Sequence, residues 1–99
     1  MLINKKQDNE AIIFELDGRL DTTTAPKLQE ALIPAIDEAD KVILSFEKLA
    51  YVSSAGLRVL LMGQKTATAK NTNFTIKNVS EEIMEVFDMT GFTDMLNIE

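Results

Sequence analysis

The sequence predicts an α/β domain, with a mixed sheet of four to five strands and about three helices packed against it. Three observations point there. Apolar residues alternate over Ala11–Leu16, with Ile12, Phe14 and Leu16 on one side and Ile13 and Glu15 on the other, which is strand periodicity. Two later stretches repeat at helical spacing instead: Ala25, Leu28, Ala31, Leu32, Ala35 and Ile36, then Leu57, Leu60, Leu61 and Gln64. Strand-like and helix-like segments alternate in the order β-β-α-β-α-β-α-β, the order of a mixed sheet with covering helices.

Taken in order, Leu2 to Gln7 is a weak strand, and Asp8-Asn9 supplies turn chemistry that joins it to Ala11–Leu16 as a hairpin. Gly18 is expected to end the second strand, and Arg19-Leu20-Asp21 leads into Thr22-Thr23-Thr24. A helix follows over Thr24 to Ala39. A threonine suits its cap and Pro26 its first turn, where the missing donor costs nothing. Pro34 predicts a kink or break, because it removes an interior hydrogen bond and crowds the turn before it. Lys41 to Phe46 reads as a central strand covered on both faces or nearly so. The helix after the serines ends near Ala69 to Asn71, and Asn73 to Lys77 is a further strand. Ser80, helped by Glu81 and Glu82, caps a short third helix that buries Ile83, Val86 and Phe87 and stops at Gly91. Met95 to Ile98 is expected to add an edge strand. No repeat, low-complexity block or linker divides the chain, so residues 1–99 read as one domain.

Composition removes several function classes. Apolar residues at 45% and charged residues at 26% are ordinary for a soluble globular chain. The net charge is −6 and no Lys/Arg cluster exists to displace counterions, which argues against nucleic acid and makes a basic surface the natural overall match. With no cysteine and no histidine, disulfides, zinc-thiolate sites and the Ser-His-Asp and Cys-His forms of catalysis cannot be assembled. No signal-peptide h-region or membrane-length apolar run is present, so a cytoplasmic chain is expected.

Chemistry concentrates in Tyr51-Val52-Ser53-Ser54-Ala55-Gly56-Leu57, where a strand gives way to a helix. A serine there can cap the unpaired N–H groups of the first helical turn. The same place favours negative charge, so a phosphate on a serine would be tolerated by the fold and conspicuous to a partner. Asp21 gains meaning if its turn lies beside these serines, as loops leaving one end of a sheet do.

Other signals carry less. Gly56–Thr66 superficially suggests a phosphate-binding loop. Six residues separate its glycines rather than four, Gln64 stands where lysine is needed, and the periodicity is helical. Gly63 reads instead as a point of close helix approach. Asn73-Phe74-Thr75 and Asn78-Val79-Ser80 match a glycosylation triplet that a chain without a secretion signal does not use. Met84, Met89 and Met95 are expected to fill gaps in the core. Asp17 and Asp21 lack a further ligand set at cation-binding spacing.

Gly18-Arg19-Leu20-Asp21, the threonine-rich helix start, Tyr51–Leu57 and Phe87-Asp88-Met89-Thr90-Gly91-Phe92 together resemble a STAS domain, in order and spacing over nearly the whole chain. The subgroup most similar is the bacterial anti-sigma factor antagonists. The resemblance implies a STAS-like α/β fold and partner switching. The unphosphorylated antagonist binds an anti-sigma factor that is also a serine kinase, which frees a sigma factor. Phosphorylation of a loop serine dissolves the complex, and a serine phosphatase resets it. In that pattern the acceptor is the serine two residues before the glycine of Gly56-Leu57, namely Ser54. Many members carry aspartate just before the acceptor; here that place holds Ser53, a second candidate, while Ala55 removes a rival hydroxyl. Asp21 matches an acidic residue of the kinase-docking surface. With it Thr22, Thr23, Ser53, Ser54, Gly56, Leu57 and Arg58 are expected to form the partner-binding surface, on a monomer expected to have no cofactor or metal and no enzymatic activity of its own. A second role on the same fold is a constitutive subunit of a transporter or signalling complex, in which Ser54 is an unmodified N-cap. An enzyme or nucleotide binder is the reading least compatible with the residues that are absent.

Overall fold

The structure is a computed structural model that describes all 99 residues, Met1–Glu99. Its elements run β1 (Leu2–Asp8), β2 (Ala11–Leu20), α1 (Ala25–Glu38), β3 (Lys41–Val52), α2 (Ser54–Lys70), β4 (Asn73–Lys77), α3 (Glu81–Thr90) and a 3-10 turn, Phe92–Asp94. The four strands lie in chain order, β1-β2-β3-β4. β1 and β2 form the expected antiparallel hairpin, turning at Asn9 in the left-handed region, and the other pairings are parallel across helical crossovers.

One face of the sheet carries the core. Ile12 pairs with Val42 and Val42 with Phe74; Phe14 pairs with Leu44 and Leu44 with Ile76; all six side chains are buried. Leu28, Leu32 and Ile36 of α1 and Leu57 and Leu60 of α2 complete the same cluster, and Phe87 of α3 reaches the Phe46 ring at 6.3 Å between centroids. A Cβ on Gly63 would stand 2.9 Å from Leu32 Cδ2, so the bare backbone is what lets α2 settle onto α1.

The structure departs from the sequence-based expectations at several places. β3 is central but covered on one face only: Lys41, Ile43 and Ser45 on the other are half-buried, because all the helices pack on the core side. Gly18 does not end β2. It sits inside the strand at φ +118°, beside two register shifts that let the ladder bulge and continue to Leu20. β3 likewise runs six residues past Phe46 to Val52. Pro34 does not break α1; it and Glu30, whose carbonyl loses its donor, are both exposed, so the unpaired carbonyl is not sealed from solvent. Successive turns through Leu96 keep the chain coiled after Gly91, so the edge strand expected at Met95–Ile98 shrinks to one parallel bridge between Ile98 and Ile76. Met84 packs against the core, but Met89 is 87% exposed and Met95 43%. No helix is long and apolar enough to cross a membrane.

Candidate functional site

β2 and β3 leave the sheet side by side at Leu20 and Val52, both buried. The Ser53 N–H donates to the Leu20 carbonyl at 2.9 Å, which ties the start of α2 to the end of β2. Ser53 is extended and its Oγ accepts the Gly56 N–H at 3.3 Å, so Ser53 is the N-cap. Gly56 stands where no side chain fits: a Cβ would come within 2.7 Å of Leu20 Cγ and 3.1 Å of its carbonyl oxygen. The first turn of α2 is thereby seated on β2. Ser54, the first helical residue, is exposed, and its hydroxyl has no partner within the chain. The two serines are therefore not equivalent, and the reading in which Ser54 caps the helix is overturned.

The turn after β2 is built around the Asp21 carboxylate. Its Oδ1 accepts the Thr23 hydroxyl at 2.8 Å, the Thr23 N–H at 3.0 Å and the Thr24 N–H at 3.2 Å, an Asx turn that leads into α1. The Thr24 hydroxyl accepts the Asp21 N–H and donates to the Arg19 carbonyl, both at 2.8 Å. The hydrogen bond from the Thr23 hydroxyl is the main cause that holds the Asp21 carboxyl below its ordinary pKa; the Thr24 and Thr23 N–H groups add to it, while partial desolvation opposes it. Asp21 is thus ionised throughout the physiological range, in a turn its own hydrogen bonds define.

Arg19 and Tyr51 pair in register one residue before Leu20 and Val52 and point away from the core. The Arg19 guanidinium lies 4.2 Å from the centre of the Tyr51 ring, and its Nε is 3.9 Å from Asp21 Oδ2. Tyr51 is 40% exposed. Neither residue stood out in the sequence as a contact; their parallel pairing, with bulges between, is what brings them to Asp21.

Charge is unevenly spread. α2 contains Arg58, Lys65 and Lys70 and no carboxylate, whereas α3 carries Glu81, Glu82, Glu85 and Asp88. Lys70 pairs with Asp37 at 3.7 Å, while Arg58 and Lys65 have no ion pair. Those two flank a shallow groove of about 210 Å³ whose other walls are Leu61 and Met62. The exposed face of α2 is therefore a cationic patch on an acidic chain. The local charge of this face is thus opposite in sign to that of the chain as a whole.

Of the residues expected to bind a partner, Asp21, Thr22, Thr23, Ser53, Ser54 and Arg58 share this end of the molecule with at least part of each at the surface. Gly56 and Leu57 do not: both are buried, Leu57 at 7% exposure, and Gly56 lies against Leu20. Gly56–Thr66 is helical throughout, so it forms no phosphate-binding loop. No three acidic side chains come together as a metal site around Asp17 and Asp21 or elsewhere. The largest cavity, about 410 Å³, lies at the far end of α2 near Gln64, Asn71 and Asn97.

The profile of the STAS domain matches residues 3–99. An anti-sigma-B factor antagonist of Staphylococcus epidermidis is 32% identical over 85 residues, 85% of this chain and 79% of that protein. The anti-sigma-B factor antagonist of Bacillus subtilis is 27% identical over 96 residues, 97% of this chain and 88% of that protein. The anti-sigma factor antagonist SpoIIAA superimposes in its unphosphorylated form with a TM-score of 0.83 at 20% identity, over 99% of this chain and 88% of that one. Its phosphorylated form gives 0.77 at the same 20% identity, over 99% and 91%.

Proposed function

The chain belongs to the STAS domain family, and on that premise we propose that it is an anti-sigma factor antagonist: a binding module, not an enzyme, whose partner is an anti-sigma factor with serine-kinase activity. The docking surface comprises Asp21, Thr22, Thr23, Ser53, Ser54 and the exposed face of α2 from Arg58, with Arg19 and Tyr51 at its edge. One observation carries the reading. Of two adjacent serines, Ser53 is occupied as a helix cap and Ser54 is open to solvent beside the Asp21 turn.

In the switching step the Ser54 oxygen bonds to the γ-phosphorus of kinase-bound ATP. The bond from that phosphorus to the β,γ-bridging oxygen breaks, ADP departs with the electron pair, and the hydroxyl proton passes to a base on the kinase. The product carries about −1.5 to −2 charge where the partner presents acidic groups and bound nucleotide phosphates. A repulsion of about 3 kcal/mol lowers affinity more than a hundredfold. At a helix start the phosphate leaves the fold intact, so the switch acts on association alone. A serine phosphatase returns the chain to its binding state.

Incubation with ATP and the cognate kinase, followed by peptide mapping in a mass spectrometer, tests this. Phosphate on Ser54 is the expected product. Phosphate elsewhere, or no transfer, contradicts the proposal.

A further inference from the structure

Arg58, one helical turn after Ser54, is a cation with no ion pair. Arg19 lies over the Tyr51 ring and near Asp21, and Lys65 is eleven residues along α2, roughly 16 Å up the axis. Arg58 is exposed and has no ion pair. It lies four residues after Ser54 in an unbroken helix, which sets the two side chains about 5–6 Å apart at Cβ. Helical Cα–Cβ bonds tilt toward the N-terminus, so the long Arg58 side chain is able to reach back over the turn that holds Ser54. An acid preceding a base by four residues is the favoured order for such a pair, and a planar guanidinium matches phosphate oxygens two at a time.

We propose that Arg58 is the intramolecular partner of a phosphate on Ser54, so that modification draws this guanidinium out of the groove it shares with Leu61, Met62 and Lys65. The inference rests on Ser54 being the modified residue. It adds a second half to the switch. In the unmodified chain Arg58 offers donors to a partner carboxylate at the groove. In the modified chain those donors turn to the phosphate, and the partner meets new negative charge with one local cation fewer. Repulsion and loss of attraction then act together, with no movement of the backbone.

The test uses the full chain with phosphoserine placed at residue 54 during translation, so that no kinase is needed, and follows the second ionisation of the phosphate by phosphorus NMR. Arg58 favours the dianion, so Arg58→Gln raises the midpoint by about 0.3 pH unit. Arg58→Lys recovers part of the difference, and Lys65→Gln leaves the midpoint where it was. In the unsubstituted chain, which needs no variant to fold, the Arg58 Nε proton resonance moves with the same midpoint as the phosphorus. An unchanged midpoint in Arg58→Gln, an equal shift in Lys65→Gln, or a stationary Nε resonance overturns the pairing. A kinase that ignores Ser54 would defeat the functional reading and leave this titration unaltered, so the two failures are distinguishable.

Discussion

α2 and α3 begin with the same device and differ in the residues directly after it. Ser53 accepts the Gly56 N–H at 3.3 Å, and Ser80 accepts the Ile83 N–H at 3.2 Å. After Ser80 come Glu81 and Glu82, carboxylates that answer the partial positive charge of a helix start. After Ser53 come Ser54 and Ala55, and the first turn of α2 has no acid at all. One helix has its compensating charge built in. The other leaves a hydroxyl at the place where charge could be added and removed, and holds an unpaired arginine one turn later. A permanently charged start serves stability; an uncharged one with an open hydroxyl serves regulation.

The comparison is broken most forcefully at Gly56. Gly56→Ala forces a methyl against Leu20, and unfolding in urea should show a loss of about 1–3 kcal/mol. A neutral result would mean that α2 is not seated on β2 as described. The serines come next. Ser53→Ala and Ser80→Ala should each cost about 1 kcal/mol as lost caps, while Ser54→Ala stays within about 0.5 kcal/mol. Equal losses for Ser53 and Ser54 would erase the distinction between them.

Smaller effects sharpen the contrast in charge. Ser54→Asp should stabilise by about 0.3–1 kcal/mol at low salt, and Glu82→Gln should destabilise by a similar amount, both fading as salt rises. The smallest concerns pH. Asp21 has a lowered pKa in the folded chain, so its contribution to stability is complete above the unfolded value of about 3.9 and is lost as pH falls through the folded one. The difference in unfolding midpoint between the parent chain and Asp21→Asn should therefore persist at pH 7 and close on acidification.

Much of this architecture was legible where periodicity was clean. The stripe from Ala25 to Ile36, the alternation over Ala11–Leu16 and the cap at Ser80 lie where the pattern puts them. The strand ends were not legible, because bulges replace alternation there: β3 buries Leu49 and Val52, three residues apart, after Phe46. The pairing of Arg19 with Tyr51 depends on those shifts and left no local trace. The site was legible as a stretch but not as a division of labour. Which serine caps α2 depends on where β3 stops, a matter of one residue. The burial of Leu57 follows from the same choice, since it sets which face of the first turn meets Leu20. Arg58 was visible in the chain, but its freedom from any ion pair was not.

The most direct measurement is calorimetric titration of the cognate anti-sigma kinase with two forms of the full chain, one carrying serine at residue 54 and one carrying phosphoserine. Binding should be more than a hundredfold weaker for the phosphorylated form, about 3 kcal/mol, with amide spectra that match away from the junction. Equal affinity for the two forms would contradict a switch at Ser54.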